Sequence, residues 1–154
     1  MSFSRRSLLM SAVALIVSSA VASAEDRMPV VASFSILGDF VRVVGGDRIT
    51  LTTLVGADGD AHVYQPSPAD AKACAAAKVL FVNGFAFEGW FDRLFTASGS
   101  KGTIVVATAG IQQRKMAGED DAHGIDPHAW QSVRNAKVYV ANDLAVIGRD
   151  AGDR

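Results

Sequence analysis

The 154-residue chain has three histidines, at positions 62, 123 and 128. Two sit in matched frames: Asp60-Ala61-His62-Val63-Tyr64-Gln65 is echoed by Asp126-Pro127-His128-Ala129-Trp130-Gln131. In each frame an acid stands two residues before the imidazole and an aromatic ring two after it. Neutral imidazole is the commonest protein ligand for a metal ion, and zinc accepts it at about 2.0–2.1 Å. A ligating histidine donates its other ring N–H to a carboxylate or a carbonyl, which fixes its tautomer. Asp60 and Asp126 are candidates for that task. Tyr64 and Trp130 are candidates to exclude water and brace the loops. Pro66, Pro68 and Pro127 restrict the backbone around both imidazoles.

The echo predicts that His62 and His128 share one metal ion. Asp-x-His is a short pattern, so two solvated histidines are the competing reading. His123 lies in "AGEDDAHG" with Glu119, Asp120 and Asp121. Such charge runs are usually solvated loops, with loose metal holding as the alternative. Two imidazoles do not fill the four positions of a closed zinc site. Carboxylates of Asp58, Asp60, Glu88 or Asp126 are available, with water otherwise.

Positioning two loops this far apart requires a scaffold, and strand and helix signals alternate along the chain. "MPVVASFS" (28–35) and "RITLTTLV" (48–55) read as strands around a helical "ILGDFVRVVGGD" that stops at Gly45-Gly46. The His62 loop follows the second strand. Ser67 then serves as N-cap, with Pro68 at the first helical position and Asp70 in the first turn of a helix running to about Ala77. "KVLFVNG" reads as a third strand, "EGWFDRLFTAS" as a helix with Trp90, Phe91, Leu94 and Phe95 on one face, and "GTIVVAT" as a fourth strand. A long polar loop carries His128 into a helix over 132–150 with Ser132 as candidate N-cap. The alternation predicts an α/β fold: a mostly parallel four-stranded sheet flanked by helices. Ligands of such sheets sit beyond the carboxyl ends of the strands. If the second and fourth strands lie near each other, both histidines reach one rim.

The first 24 residues read separately. Arg5 and Arg6 precede an apolar run from Leu8 to about Val21 that closes on Ala22-Ser23-Ala24, a cleavable export signal of general (Sec) or twin-arginine type. The run is too short and too rich in Ser and Ala for a good membrane span. Cleavage leaves 25–154 as the working domain, outside the cytoplasm and with no integral membrane segment. It also removes two arginines and no acid, leaving 13 basic against 16 acidic residues, a net charge of −3. Without a basic stripe, nucleic acid is not a partner. The single Cys74 excludes an internal disulfide and sits in an alanine-rich helical run, so it reads as core.

"VVASFSILGDFVRVVGGD", "DAHVYQPSPAD", "VLFVNGFAFEGW" and "DPHAW", in that order, resemble the zinc- and manganese-binding solute-binding proteins of bacterial ABC importers. The resemblance spans most of the chain after the signal. It implies a periplasmic receptor of two α/β lobes joined by a long helix, which delivers metal to a membrane permease. It also implies that His62 and His128 are the ligands of the N-terminal lobe. A third histidine and an acid would come from a C-terminal lobe, so residues 25–154 are expected to be the N-terminal lobe only, as a fragment of a longer protein or a truncated gene product. Imidazole favours zinc, and manganese favours oxygen, so Zn2+ is the expected ion and Mn2+ the alternative. Two other readings compete with a binding protein. One is a zinc hydrolase with Asp126 or Glu88 as general base. The other is a structural or adhesion domain with inert histidines. The sequence has no H-E-x-x-H, G-x-S-x-G or phosphate loop, which argues against catalysis.

Overall fold

The computed structural model describes residues 27–116 and 124–152. The expected export signal over 1–24 and His123 with its acidic neighbours lie outside these residues.

Four strands, β1 (Met28–Phe34), β2 (Ile49–Val55), β3 (Val79–Val82) and β4 (Thr103–Val106), form one parallel sheet in the order β2-β1-β3-β4. The helices are α1 (Ser35–Gly45), α2 (Pro68–Ala76), α3 (Phe91–Ser98) and α4 (Val133–Gly152). The expected α/β class and four-stranded sheet are therefore present. The central strands are continuous apolar runs because helices cover both of their faces. All four residues of β3 are buried, whereas edge strand β4 buries only Val105.

Each crossover shows why its residues form that element. In α1, Leu37 and Val41 are fully buried on one face, and the helix packs on β1 and β2. Helix α2 starts as the sequence predicts: Ser67 Oγ accepts from Asp70 N, and Asp70 Oδ2 accepts from Ser67 N at 2.6 Å, a reciprocal cap with Pro68 at the first turn. Cys74, the one buried residue of α2, is a core thiol whose pKa burial pushes up to about 11. Helix α3 is shorter than expected. It begins at Phe91 because Glu88 and Trp90 are taken up in the turn before it. Helix α4 packs against α1 and runs past β4.

The second and fourth strands are the two edges of the sheet, so the condition that they lie near each other is not met. The histidines nevertheless meet, because the winding direction reverses at the centre. β1 leads outward to β2, and β3 leads the opposite way to β4, so a crevice opens above the carboxyl ends of β1 and β3. Loops from both edges fold back into that crevice.

Asp143 of α4 departs from the ordinary rules of burial. It is fully buried, and neither carboxylate oxygen has a hydrogen-bonding partner among the described residues. Burial pushes its pKa up to about 7.

Candidate metal centre

The Nε2 atoms of His62 and His128 lie 3.4 Å apart. Two nitrogens that each sit about 2.0–2.1 Å from one zinc at a tetrahedral angle are separated by roughly 3.3–3.4 Å. The ring centroids are 5.4 Å apart and the planes meet at 60°. This arrangement can present two nitrogen lone pairs to one cation.

The His128 loop is fixed by its own acid. Asp126 Oδ1 accepts from the His128 backbone N–H at 2.9 Å and lies 2.8 Å from His128 Nδ1. With Nδ1–H donating to the carboxylate, Nε2 is left bare and turned toward His62. The backbone N–H and then the ring of His128 hold the Asp126 carboxyl below the usual carboxylate range.

The His62 loop repeats only half of this. Asp60 Oδ1 accepts from the His62 backbone N–H at 2.8 Å. The Asp60 carboxylate thus shapes the turn and does not orient the ring, which differs from the role its spacing predicts. Among the described residues the one polar side chain that meets the His62 ring nitrogens is His128, through the 3.4 Å Nε2 contact. Packing orients it instead, with the Phe87 ring edge-on at 4.6 Å. Trp90 Nε1 donates to Ala61 O at 2.7 Å and ties this loop to the start of α3.

Trp130 stands 5.2 Å from His128 and packs on Phe34 and Phe87 at 4.8 and 5.0 Å, so it walls one side of the pair. Tyr64 does not. Its hydroxyl donates to Asp70 Oδ2 at 2.9 Å and its ring packs on Trp90, which anchors the loop to α2. Burial and the Asp70 carboxylate raise its pKa.

Below the histidines runs a buried polar network that the sequence analysis does not find. Glu88 Oε1 accepts from Ser33 Oγ at 2.5 Å and from Asn83 N at 2.7 Å, and Oε2 accepts from Gly84 N at 3.3 Å. Burial pushes the Glu88 pKa up against these bonds. The carboxylate stabilises a turn in which Gly84, Phe85 and Ala86 are all left-handed, with φ of 89°, 54° and 60°. That turn delivers Phe87 to the histidines. The "NG" after a buried strand signals the turn but not its cargo. No group of three or more His, Cys, Asp or Glu side chains able to hold a metal occurs among the described residues. Asp58 and Glu88 are therefore not brought together with the histidine pair. A cleft of about 240 Å3, lined by Phe85, Arg114, Asp126, His128 and Asn135 among others, opens beside His128.

Residues 30–144 match the family model described as zinc-uptake complex component A, periplasmic. The manganese-binding lipoprotein MntA of Halalkalibacterium halodurans is 34% identical over 115 residues, covering 75% of this chain and 37% of its own. The iron ABC transporter substrate-binding lipoprotein MtsA of Streptococcus pyogenes serotype M1 is 33% identical over 123 residues, covering 76% and 40%. Among solved structures, a manganese-bound periplasmic metal-binding protein from Candidatus Liberibacter asiaticus superposes with a TM-score of 0.71 at 36% identity, covering 79% of this chain and 45% of that one. A zinc-bound deletion mutant of ZnuA superposes with a TM-score of 0.75 at 26% identity, covering 83% and 48%. The chain spans roughly two-fifths of the length of the curated relatives it matches.

Proposed function

The chain belongs to the periplasmic zinc-uptake component A family, and on that premise we propose that it forms the metal-capturing lobe of an extracytoplasmic solute-binding receptor. Residues 25–154 make the lobe, and residues 1–24 direct export by the general or twin-arginine route. His62 and His128 give one Nε2 each to a single divalent ion. Oxygen donors or water fill its other positions. The ion passes to the permease of an ABC importer, as the substrate-binding names of the relatives suggest. The observation that carries this reading is the 3.4 Å separation of the two ring nitrogens.

Zinc is the preferred cargo, because the two donors contributed here are imidazoles. Manganese is a specific second reading, since relatives named for manganese and a manganese-bound neighbour are similar to this chain too. The family is one of transporter substrate-binding components, not of enzymes. The geometry agrees: Glu88 and Asp126, the carboxylates a hydrolase would use as base, are both engaged in orienting bonds.

Calorimetric titration tests the reading. The protein is expected to take one zinc, and His62→Ala or His128→Ala to weaken it more than about 100-fold, beyond what loss of a residue behind a ligand costs. Unaltered titration of both variants would remove the site. Competition between zinc and manganese decides the cargo.

A further inference from the structure

Helix α4 presents a row of polar side chains at positions 135, 139 and 142, the spacing of one helix face. Every member clasps the loops that build the histidine site. Asn135 Nδ2 donates to Ala129 O at 3.0 Å, next to His128. Asn142 Nδ2 donates to Ala107 O and Ala109 O at 2.9 and 3.1 Å, just after β4. Tyr139, fully buried between them, donates its hydroxyl to Asn83 Oδ1.

Asn83 is the junction. With its Oδ1 taken by Tyr139, its Nδ2 must face the other way, where it donates to Pro127 O at 2.9 Å and Gly84 O at 3.0 Å. Pro127 has no N–H, so its carbonyl is the one backbone polar group by which that residue can be held. Thr108 Oγ1 donates to Asn83 O at 2.6 Å and Glu88 accepts from Asn83 N, so the amide sits on a fixed base. Asn83 is fully buried. A chain of two bonds therefore runs from α4 to the peptide that carries His128.

We propose that Asn83 and Tyr139 are positioning residues for His128. Tyr139 sets the orientation of the Asn83 amide, and the amide fixes the Pro127 carbonyl, so that Asp126 and the His128 ring meet and Nε2 faces His62. The inference rests on the metal-binding reading for its purpose, but its geometry can be tested without metal. Tyr139→Phe removes only the donor. Asn83 Oδ1 is then buried without its donor and the amide is held only through Nδ2, by the Pro127 and Gly84 carbonyls, so its grip on the Pro127 peptide loosens.

The test uses the 154-residue protein labelled with 15N. In the parent, the His128 ring should show the Nδ1–H tautomer in two-bond 1H–15N correlation spectra. In Tyr139→Phe, ring signals of His128 should shift toward a tautomer mixture while those of His62 hold. Amide exchange of His128 should accelerate about tenfold, the worth of one hydrogen bond, while Val31 and Leu80 in the sheet are unaffected. Zinc titrated into the same samples should bind about tenfold more weakly to the variant, as for loss of a group behind a ligand. Asn83→Ala should reproduce the loop signature; if it fails to fold, Tyr139→Phe decides alone. Unchanged His128 signals and exchange, or an acceleration shared equally by Val31 and Leu80, would overturn the proposal. If the parent takes no zinc at the histidines, the metal reading falls, and the tautomer and exchange results still decide the positioning role.

Discussion

The loop that carries His128 is held at every step, whereas the loop that carries His62 is held mainly at its neighbour. Around His128, the acid binds both backbone and ring, the preceding carbonyl is taken by Asn83, and the following one by Asn135. Around His62, Trp90 grips the Ala61 carbonyl and Asp60 closes the turn, but the ring itself leans on Phe87. The same six-residue frame thus yields one imidazole with a fixed tautomer and one free to adjust. On the proposed metal-binding reading, a cation between them would meet one fixed donor and one adjustable donor. The difference arises from position in the fold: the His128 loop runs directly into α4, whose Asn135 grips it, whereas the His62 loop leads into α2, tied to it through Tyr64 and Asp70.

The sharpest way to break this comparison is to remove the two acids in turn. Asp126→Ala takes away the partner of His128 Nδ1, and zinc binding is expected to weaken toward the upper end of the 10–100-fold range for such groups. Asp60→Ala takes away one backbone bond, and the loss should stay under about tenfold. Equal losses in calorimetry would mean that the two loops work alike and that Asp60 reaches the His62 ring when metal is present.

A second effect lies in α4, the helix that follows the His128 loop. Asp143 is buried in α4 without a hydrogen-bonding partner among the described residues, and burial raises its pKa to about 7, above the ordinary carboxylate value. Between about pH 4 and pH 7 the folded state therefore holds a proton that the unfolded chain has released. Stability falls as pH rises through that window and levels off above it. Asp143→Asn removes the charge but leaves a buried amide without partners, so it recovers only part of the cost, about 1–2 kcal/mol at pH 8. Thermal melts should show a gain of a few degrees at pH 8 that vanishes near pH 4. A parent whose melting temperature is flat from pH 4 to pH 8 contradicts this.

The sequence made the scaffold and the histidine pair legible for physical reasons. β-branched runs, the Ser67 cap and the Gly45-Gly46 stop are local signals, and each element lies within a few residues of its expected span. The repeated frame singled out His62 and His128, and the fold brings their Nε2 atoms to 3.4 Å. Strand order was not legible. It depends on which way each crossover winds, and β2 and β4 proved to be opposite edges. The polar network was hidden for a related reason. Asn83, Glu88 and Tyr139 are far apart in sequence and meet only after the sheet forms, and an asparagine after a strand looks like any turn residue. Asp60 and Asp126 share one spacing, yet only Asp126 lies 2.8 Å from its histidine's ring nitrogen.

The smallest expected effect concerns the aromatic half of the echo, Tyr64 against Trp130. Trp130 touches the His128 ring and the Phe34–Phe87 wall, so its aromatic surface belongs to the site. Tyr64 spends its hydroxyl on Asp70, which already accepts from Ser67 N and Ser67 Oγ at 2.6 and 2.8 Å. Tyr64→Phe therefore leaves the cap of α2 satisfied and keeps the ring against Trp90. Its cost should be about 0.5–1 kcal/mol in chemical denaturation, the net worth of one hydrogen bond. Zinc affinity should stay within about twofold, because nothing between Tyr64 and the imidazole depends on that hydroxyl. A loss in Tyr64→Phe as large as that in Asp126→Ala would show that the His62 loop is clamped through α2 as firmly as the His128 loop is through α4, and the contrast between the two would disappear.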